Sequence, residues 1–142
     1  IENPFGHIWS WTDGCKCAIE SDADGGVSSF YTCDNPANYQ DTNYDNYVKR
    51  GELPRKEGYV KRMMIGEYGE NMPTEVGAGS TTYFADYFYT NIPASGVAQR
   101  GVLFGGSAYG GADAGLSFAS TYRTAAATLA YLGSRLCFIP AA

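Results

Sequence analysis

Between residues 105 and 115 the chain reads GGSAYGGADAG, five glycines in eleven residues. No regular helix or strand runs comfortably through such a stretch, because glycine loses the most backbone freedom on ordering and offers no side chain to pack. It suits a tightly folded loop that neighbouring elements must hold in place. The loop opens a C-terminal third, residues 100–142, with a second peculiarity. Lys, Glu, Gln, Met and Trp are absent from it, although all five occur earlier, as in Lys49, Glu67, Gln40, Met63 and Trp11. These are the residues that no pyrimidine-ending codon specifies, so randomising the leading bases of AAC or AAT codons would leave the same gap. Asn and His are missing as well, which ordinary compositional drift would equally produce.

Regular elements bracket the loop. Residues 97–104 form a strand candidate leading into it, and residues 132–139 alternate well enough for a terminal strand with Leu136 and Phe138 on one face. Between them, residues 117–131 are small and polar with isolated Tyr and Arg. The alanines at 125–127 favour a short helix, but the β-branched Thr121, Thr124 and Thr128 oppose it. An ordinary Ala- and Gly-rich surface loop is the plainer alternative.

The fixed positions Gly105-Gly106-Ser107, Gly111-Ala112, Ala114-Gly115-Leu116 and Gly133-Ser134-Arg135-Leu136 carry a resemblance. Their spacing resembles the variable region of diversity-generating retroelement target proteins, which have a formylglycine-generating-enzyme type of C-type lectin fold. There a GGSxxxGxxAGL motif opens the region and a GxRL strand closes it. Ala108 stands where that family often has Trp. A second block, Gly6 to Asp13 (GHIWSWTD), resembles the GNVWEW-T-D block of the same fold, with His7 for Asn and Ser10 for Glu.

The resemblance implies an α+β, C-type-lectin-like domain, strand-rich in its C-terminal half, over residues 1–142, with a variable region at about 100–136. It implies that the fold's opening elements precede Ile1 in a longer protein or come from another chain. The sites that would vary, and so contact ligand, are Tyr109, Gly110, Asp113, Ser120, Tyr122, Arg123, Ala127, Leu129 and Tyr131. Gly105, Gly106, Gly115, Leu116, Arg135 and Leu136 should instead be buried or conformationally fixed. The implied carrier is a phage tail tip or fibre, or a bacterial cell surface. The implied partner is a protein or glycan receptor on a host cell, with self-assembly into a homo-oligomer as a further partner class.

Length and charge fit one domain of this kind. The chain has 142 residues, enough for a single core. A net charge of −5 disfavours nucleic-acid and anionic-membrane binding, both of which need clustered Lys and Arg. No apolar run approaches a membrane-spanning length, so no membrane insertion is expected. Cys15 and Cys17 lie too close to pair with each other easily, and their spacing is poor for a metal. Free or partly buried thiols are the preferred reading over zinc, and pairing of Cys17 with Cys33 or Cys137 stays open.

The remaining segments carry weaker signals. Asp13-Gly14 and the Asp24-Gly25-Gly26 run read as turns, and residues 27–32 as a short strand. Residues 34–47, rich in Asn, Asp and Tyr, read as a loop ordered by its own side chains, since the spacing of a calcium loop is not met. Residues 48–64 hold most of the positive charge and read as a solvated segment, with a strand at 59–65. Gly77-Ala78-Gly79-Ser80 reads as a turn, and residues 80–90 (STTYFADYFYT) as the strongest strand of the chain.

Catalysis has little to stand on. His7 is the only histidine and is expected as a hydrogen-bonded core or turn residue, with no nucleophile motif nearby. The enzymes of the resembling fold oxidise a cysteine with paired thiols and copper, but none of the four cysteines here matches their motif. No enzyme activity, cofactor or metal is expected. A binder fits better, because Tyr supplies rigid contact area and Ser, Gly and Ala let it be placed. The alternatives are a structural virion domain, with the Tyr positions buried between subunits, or a relative of the thiol oxidases.

Overall fold

A computed structural model describes residues 6–67 and 70–134. Among these residues nine strands follow one another: β1 Trp9–Glu20, β2 Ser28–Thr32, β3 Val48–Glu52, β4 Gly58–Ile65, β5 Asn71–Val76, β6 Tyr87–Thr90, β7 Val97–Phe104, β8 Ala119–Thr121 and β9 Leu132–Gly133. They form one sheet in the order β3-β2-β1-β7-β8-β6-β4-β5, and β9 adds in parallel to the start of β1. Helix among the described residues is confined to short 3-10 turns at Asp22–Asp24, Pro36–Asn38 and Ala108–Asp113. Of the expected α+β, strand-rich class, the strand-rich part is shown: the described residues form a strand-rich fold with few helical turns. The alanine run 125–127 lies in turn and loop and forms no helix.

The ends of the sheet curl toward each other and nearly close it. Arg50 on β3 places its Nε 3.0 Å from Glu70 Oε1, just before β5. Met64 on β4 packs directly over Gly51, where a Cβ would sit 2.7 Å from the sulfur. Inside the curl lies the main core: Cys17, Ile19, Phe30, Leu53, Val60, Met72, Val76, Phe88, Val102 and Ala119. Burying each large side chain of this set contributes about 1.5–3 kcal/mol. Strand alternation sends the neighbours of these residues to the other face. Leu103 next to Val102, and Tyr87 and Tyr89 on either side of Phe88, join Trp9 and Phe118 in a second, outer cluster.

Strand β1 runs through the expected Asp13-Gly14 turn. Gly14 has φ 69° and lies inside a register shift between Trp11 and Lys16, so the pair makes a bulge and the strand continues. The strands expected at 27–32, 59–65 and 97–104 are present as β2, β4 and β7. The one expected at 80–90 is shortened to Tyr87–Thr90, because Tyr83 and Ala85 take positive φ (55° and 56°) and turn the chain. Residues 48–52 pair with β2 and are not merely a solvated segment.

Loop 34–47 is tied by its own groups, with Thr42 donating to Gln40 Oε1 (2.8 Å) and Asn43 Oδ1 accepting from Asp45 N (2.9 Å). Lys16 adds an anchor from β1, donating Nζ to the carbonyls of Gln40 and Asn43 beneath the rings of Tyr44 and Tyr47. Of the expected terminal strand 132–139, Leu132 and Gly133 pair with β1 and Ser134 is in neither strand nor helix; residues 135–139, with Arg135, Leu136 and Cys137, lie outside the described residues. No helix of the described residues is long and apolar enough to cross a membrane.

Candidate functional site

The segment after β7 folds over the outer face of the sheet, and its glycines set how closely. Gly106, at φ 71°, lies so near the Phe118 ring that a Cβ would overlap it. Gly115 approaches the Asp86 carboxylate just as closely, and that carboxylate accepts from Ser117 N at 3.0 Å. Gly105 N donates to Phe118 O (2.9 Å), and Gly105 O accepts from Gly6 N (2.7 Å). Both glycines of the GGS motif and Gly115 are buried, as expected of framework positions. Leu116 is not: it is 72 % exposed, and the correction follows from Phe118 occupying the inward position of this turn instead.

Phe118 is the keystone of an aromatic floor. Its ring lies 4.5 Å from Trp9 and 5.5 Å from Tyr89, and Trp9 meets Tyr89 edge-on at 6.5 Å. Such tilted and edge contacts stabilise by about 0.5–1.5 kcal/mol per pair beyond the area they bury. Burial pushes the Tyr89 and Tyr87 hydroxyls above their ordinary pKa, so both stay neutral phenols at neutral pH. Over this floor opens a cavity of about 510 Å³.

Six of the nine expected contact residues line that cavity: Tyr109, Gly110, Ser120, Tyr122, Arg123 and Tyr131. Tyr109 projects fully into solvent, and Tyr122 and Tyr131 are about two-fifths exposed. Arg123 links the walls, donating Nη2 to the Tyr131 hydroxyl (3.2 Å) with its guanidinium 5.1 Å from the Tyr122 ring centre. Strand β9 fixes the Tyr131 end, since Tyr131 O accepts from Trp9 N at 2.9 Å. Ser120 departs from the expectation of a solvent-facing side chain. It sits in β8 between Leu103 and Tyr89, is buried, and its hydroxyl accepts from Tyr122 N at 3.3 Å.

The other three stand apart. Asp113 accepts a 2.6 Å hydrogen bond from the Tyr59 hydroxyl. Ala127 N closes a turn onto Thr124 O (3.0 Å), and Leu129, 38 % exposed, lies on the same segment outside the cavity lining. The sequence reading missed the floor itself: Trp9, Tyr89, Leu103, Phe118 and Leu132. The alternation of Tyr87 and Tyr89 around Phe88 was its one legible signal.

The site is poor in groups for chemistry. His7 is exposed in a bend and its backbone carbonyl accepts from Ala108 N (3.1 Å), so of the expected core or turn placements it takes the turn. Cys15, Cys17 and Cys33 are free thiols. Burial raises Cys15 to about 11 and Cys17 well above its ordinary value, so thiolate is scarce at neutral pH. Among the described residues no cluster of three or more His, Cys, Asp or Glu is arranged to hold a metal ion. Comparison with protein-family models, with curated proteins and with solved structures finds no match for this chain.

Proposed function

We propose that this chain is a ligand-binding display domain whose C-terminal surface recognises a protein or glycan receptor on a cell surface. The carrying observation is the convergence of Tyr109, Ser120, Tyr122, Arg123 and Tyr131 on one cavity over a fixed aromatic floor. Rigid rings at the rim and a guanidinium between them are the residue types that anchor recognition surfaces. Packed strands beneath keep the backbone in place while rim side chains change. In this reading the domain is C-type-lectin-like, its variable region is diversified by a retroelement, and a phage tail tip or fibre or a bacterial surface carries it.

Two measurements test the proposal. Labelled chain is applied to bacterial cells that are untreated, protease-treated or periodate-treated. Saturable binding lost on one treatment assigns a protein or glycan receptor. Replacing Tyr122 and Arg123 together by Ala is expected to abolish or redirect that binding with stability changed by only about 0.5 kcal/mol, the usual range for surface positions. Binding that persists in the double variant refutes the site. Independently, the flanking DNA should hold a near-repeat of the codons for residues 100–136, differing only at adenines, beside a reverse transcriptase; its absence refutes the retroelement part.

A further inference from the structure

A second cavity, of about 470 Å³, opens on the outer face beside the β1 bulge and shares no lining residue with the first. It lies between the bulge, the 39–47 loop, the middle of β7 and the turn at 124–126. Two glycines shape its walls. Gly14, at φ 69°, leaves room for Tyr39, whose hydroxyl would stand 2.8 Å from a Cβ there. Gly101 does the same for Trp11, whose six-membered ring would come within 2.5 Å of a Cβ. With Tyr47, these side chains give the cavity three aromatic walls.

The charges around this cavity are unequally used. Arg100 stands opposite Cys17 and in step with Val102, so alternation sends its side chain to the inner face of β7, away from the cavity. Lys16 is 6 % exposed, and its ammonium is spent on the carbonyls of Gln40 and Asn43. The carboxylates of Asp13 and Asp41 are exposed and make no side-chain hydrogen bond or ion pair among the described residues. Each stands beside an aromatic wall, since the Asp13 charge is felt at Tyr39 and the Asp41 charge at Tyr47. Gln99, on the outer face with Gly101, adds a neutral acceptor. Its amide nitrogen donates to Thr42 O at 3.0 Å, and its buried Oε1 has no partner among the described residues. The Gln40 side chain is already committed to Asp45 O and Thr42. The charged and amide groups left over are therefore acceptors, in a chain of net charge −5, and a ligand that fits them brings donors and positive charge.

We infer that this cavity binds an unacetylated amino sugar, its ammonium drawn by the Asp13 and Asp41 carboxylates and its ring laid on the aromatic walls. Hydrogen bonds from an ammonium to a carboxylate are of the strong, charge-assisted kind. Aromatic faces attract a cation and equally suit the C–H face of a pyranose ring. A bare alkylammonium would satisfy the carboxylates but fill little of the 470 Å³. A neutral sugar would fill the cavity and leave the carboxylates without a counter-charge. The site is separate from the rim around Tyr122 and Arg123, so it stands or falls independently of the recognition surface proposed there.

The test uses the whole chain and four probes followed by calorimetry: methyl glucosaminide, methyl N-acetylglucosaminide, methyl glucoside and butylamine. At about pH 6 both free amines are protonated and the carboxylates ionised. Saturable glucosaminide binding at least about tenfold tighter than each of the other three is expected, because it alone combines the ring with the charge. Replacing Asp13 and Asp41 together by Asn should erase that preference, leaving the glucosaminide bound no better than the glucoside. Both positions are exposed, so the double variant should unfold at nearly the same temperature as the parent chain. Absence of saturable glucosaminide binding overturns the inference. So does equal affinity for butylamine or for the N-acetyl sugar, or a preference that survives in the double variant.

Discussion

The Tyr59 hydroxyl donates to Asp113 Oδ1 across 2.6 Å, joining β4 to the 3-10 turn within the Gly-rich loop. Asp113 is thereby part of the scaffold that positions the loop, although its place in the sequence marked it for ligand contact. The bond to Asp113 is the largest influence raising the Tyr59 pKa above its ordinary 10.0. Folding therefore favours the protonated phenol. The stabilisation is complete below pH 10.0 and is lost as pH rises through the raised value. Replacing Asp113 by Ala should move one tyrosine transition, followed by ultraviolet absorbance, down toward the ordinary value. Tyr59→Phe should remove that transition, and an unshifted titration in Asp113→Ala would contradict the bond.

Ser120 and Tyr109 line the same cavity yet should tolerate change very differently. Ser120 is 5 % exposed within β8, with strands on both sides, whereas Tyr109 is 100 % exposed. Ser120→Leu should cost about 1–3 kcal/mol by overpacking. Tyr109→Ala should stay within about 0.5 kcal/mol. Urea denaturation of the two variants decides the point: equal losses would mean that the cavity floor and rim are not distinct layers.

Part of the strand framework was legible because β2, β4 and β7 each carry β-branched or aromatic residues beside Gly- or Pro-bearing turns. The failures share a physical cause, that positive φ has several uses. At Gly14 the Asp-Gly signal serves a bulge, whose partner β7 lies more than eighty residues away in sequence. At Tyr83 and Ala85 non-glycine residues take positive φ, which strand propensity cannot foresee. Strand β5 was hidden by Pro73, yet β5 ends the strand order and pairs only with β4, where the missing donor is tolerated. The rim residues of the candidate site were named through the resemblance carried by the fixed Gly-rich positions, and six of the nine so named line one cavity. The floor was not legible, since Trp9, Tyr89 and Phe118 meet only through tertiary packing.

Leu116 and Phe118 provide a direct check on which residue seats the loop. Leu116 is 72 % exposed and Phe118 is 1 % exposed, with Gly106 and Gly110 against its ring. Phe118→Ala should destabilise by about 3–5 kcal/mol through lost contacts and the cavity left behind. Leu116→Ala should change stability by no more than about 0.5 kcal/mol. Thermal unfolding that ranks the two the other way round would show that the loop is seated by Leu116.

The thiols of β1 should be inert under native conditions. Cys17 is completely buried, and Cys15, partly buried, is raised to about 11 by burial, then by the charges of Glu70 and Asp13. Since thiolate is the reactive form, a Cys137→Ser variant at neutral pH should react with iodoacetamide far more slowly than a free thiol peptide. Labelling of Cys15 should accelerate only as pH approaches 11. The same shift has a stability consequence. Folding favours the neutral thiol, so stability is unaffected below the ordinary value of 9.0 and falls as pH climbs through about 11. Replacing Cys15 by Ser removes that titrating group and should flatten this part of the alkaline stability profile. Rapid native labelling of Cys15 at neutral pH would mean that the thiol faces an open, electropositive site, and would return thiol chemistry to consideration.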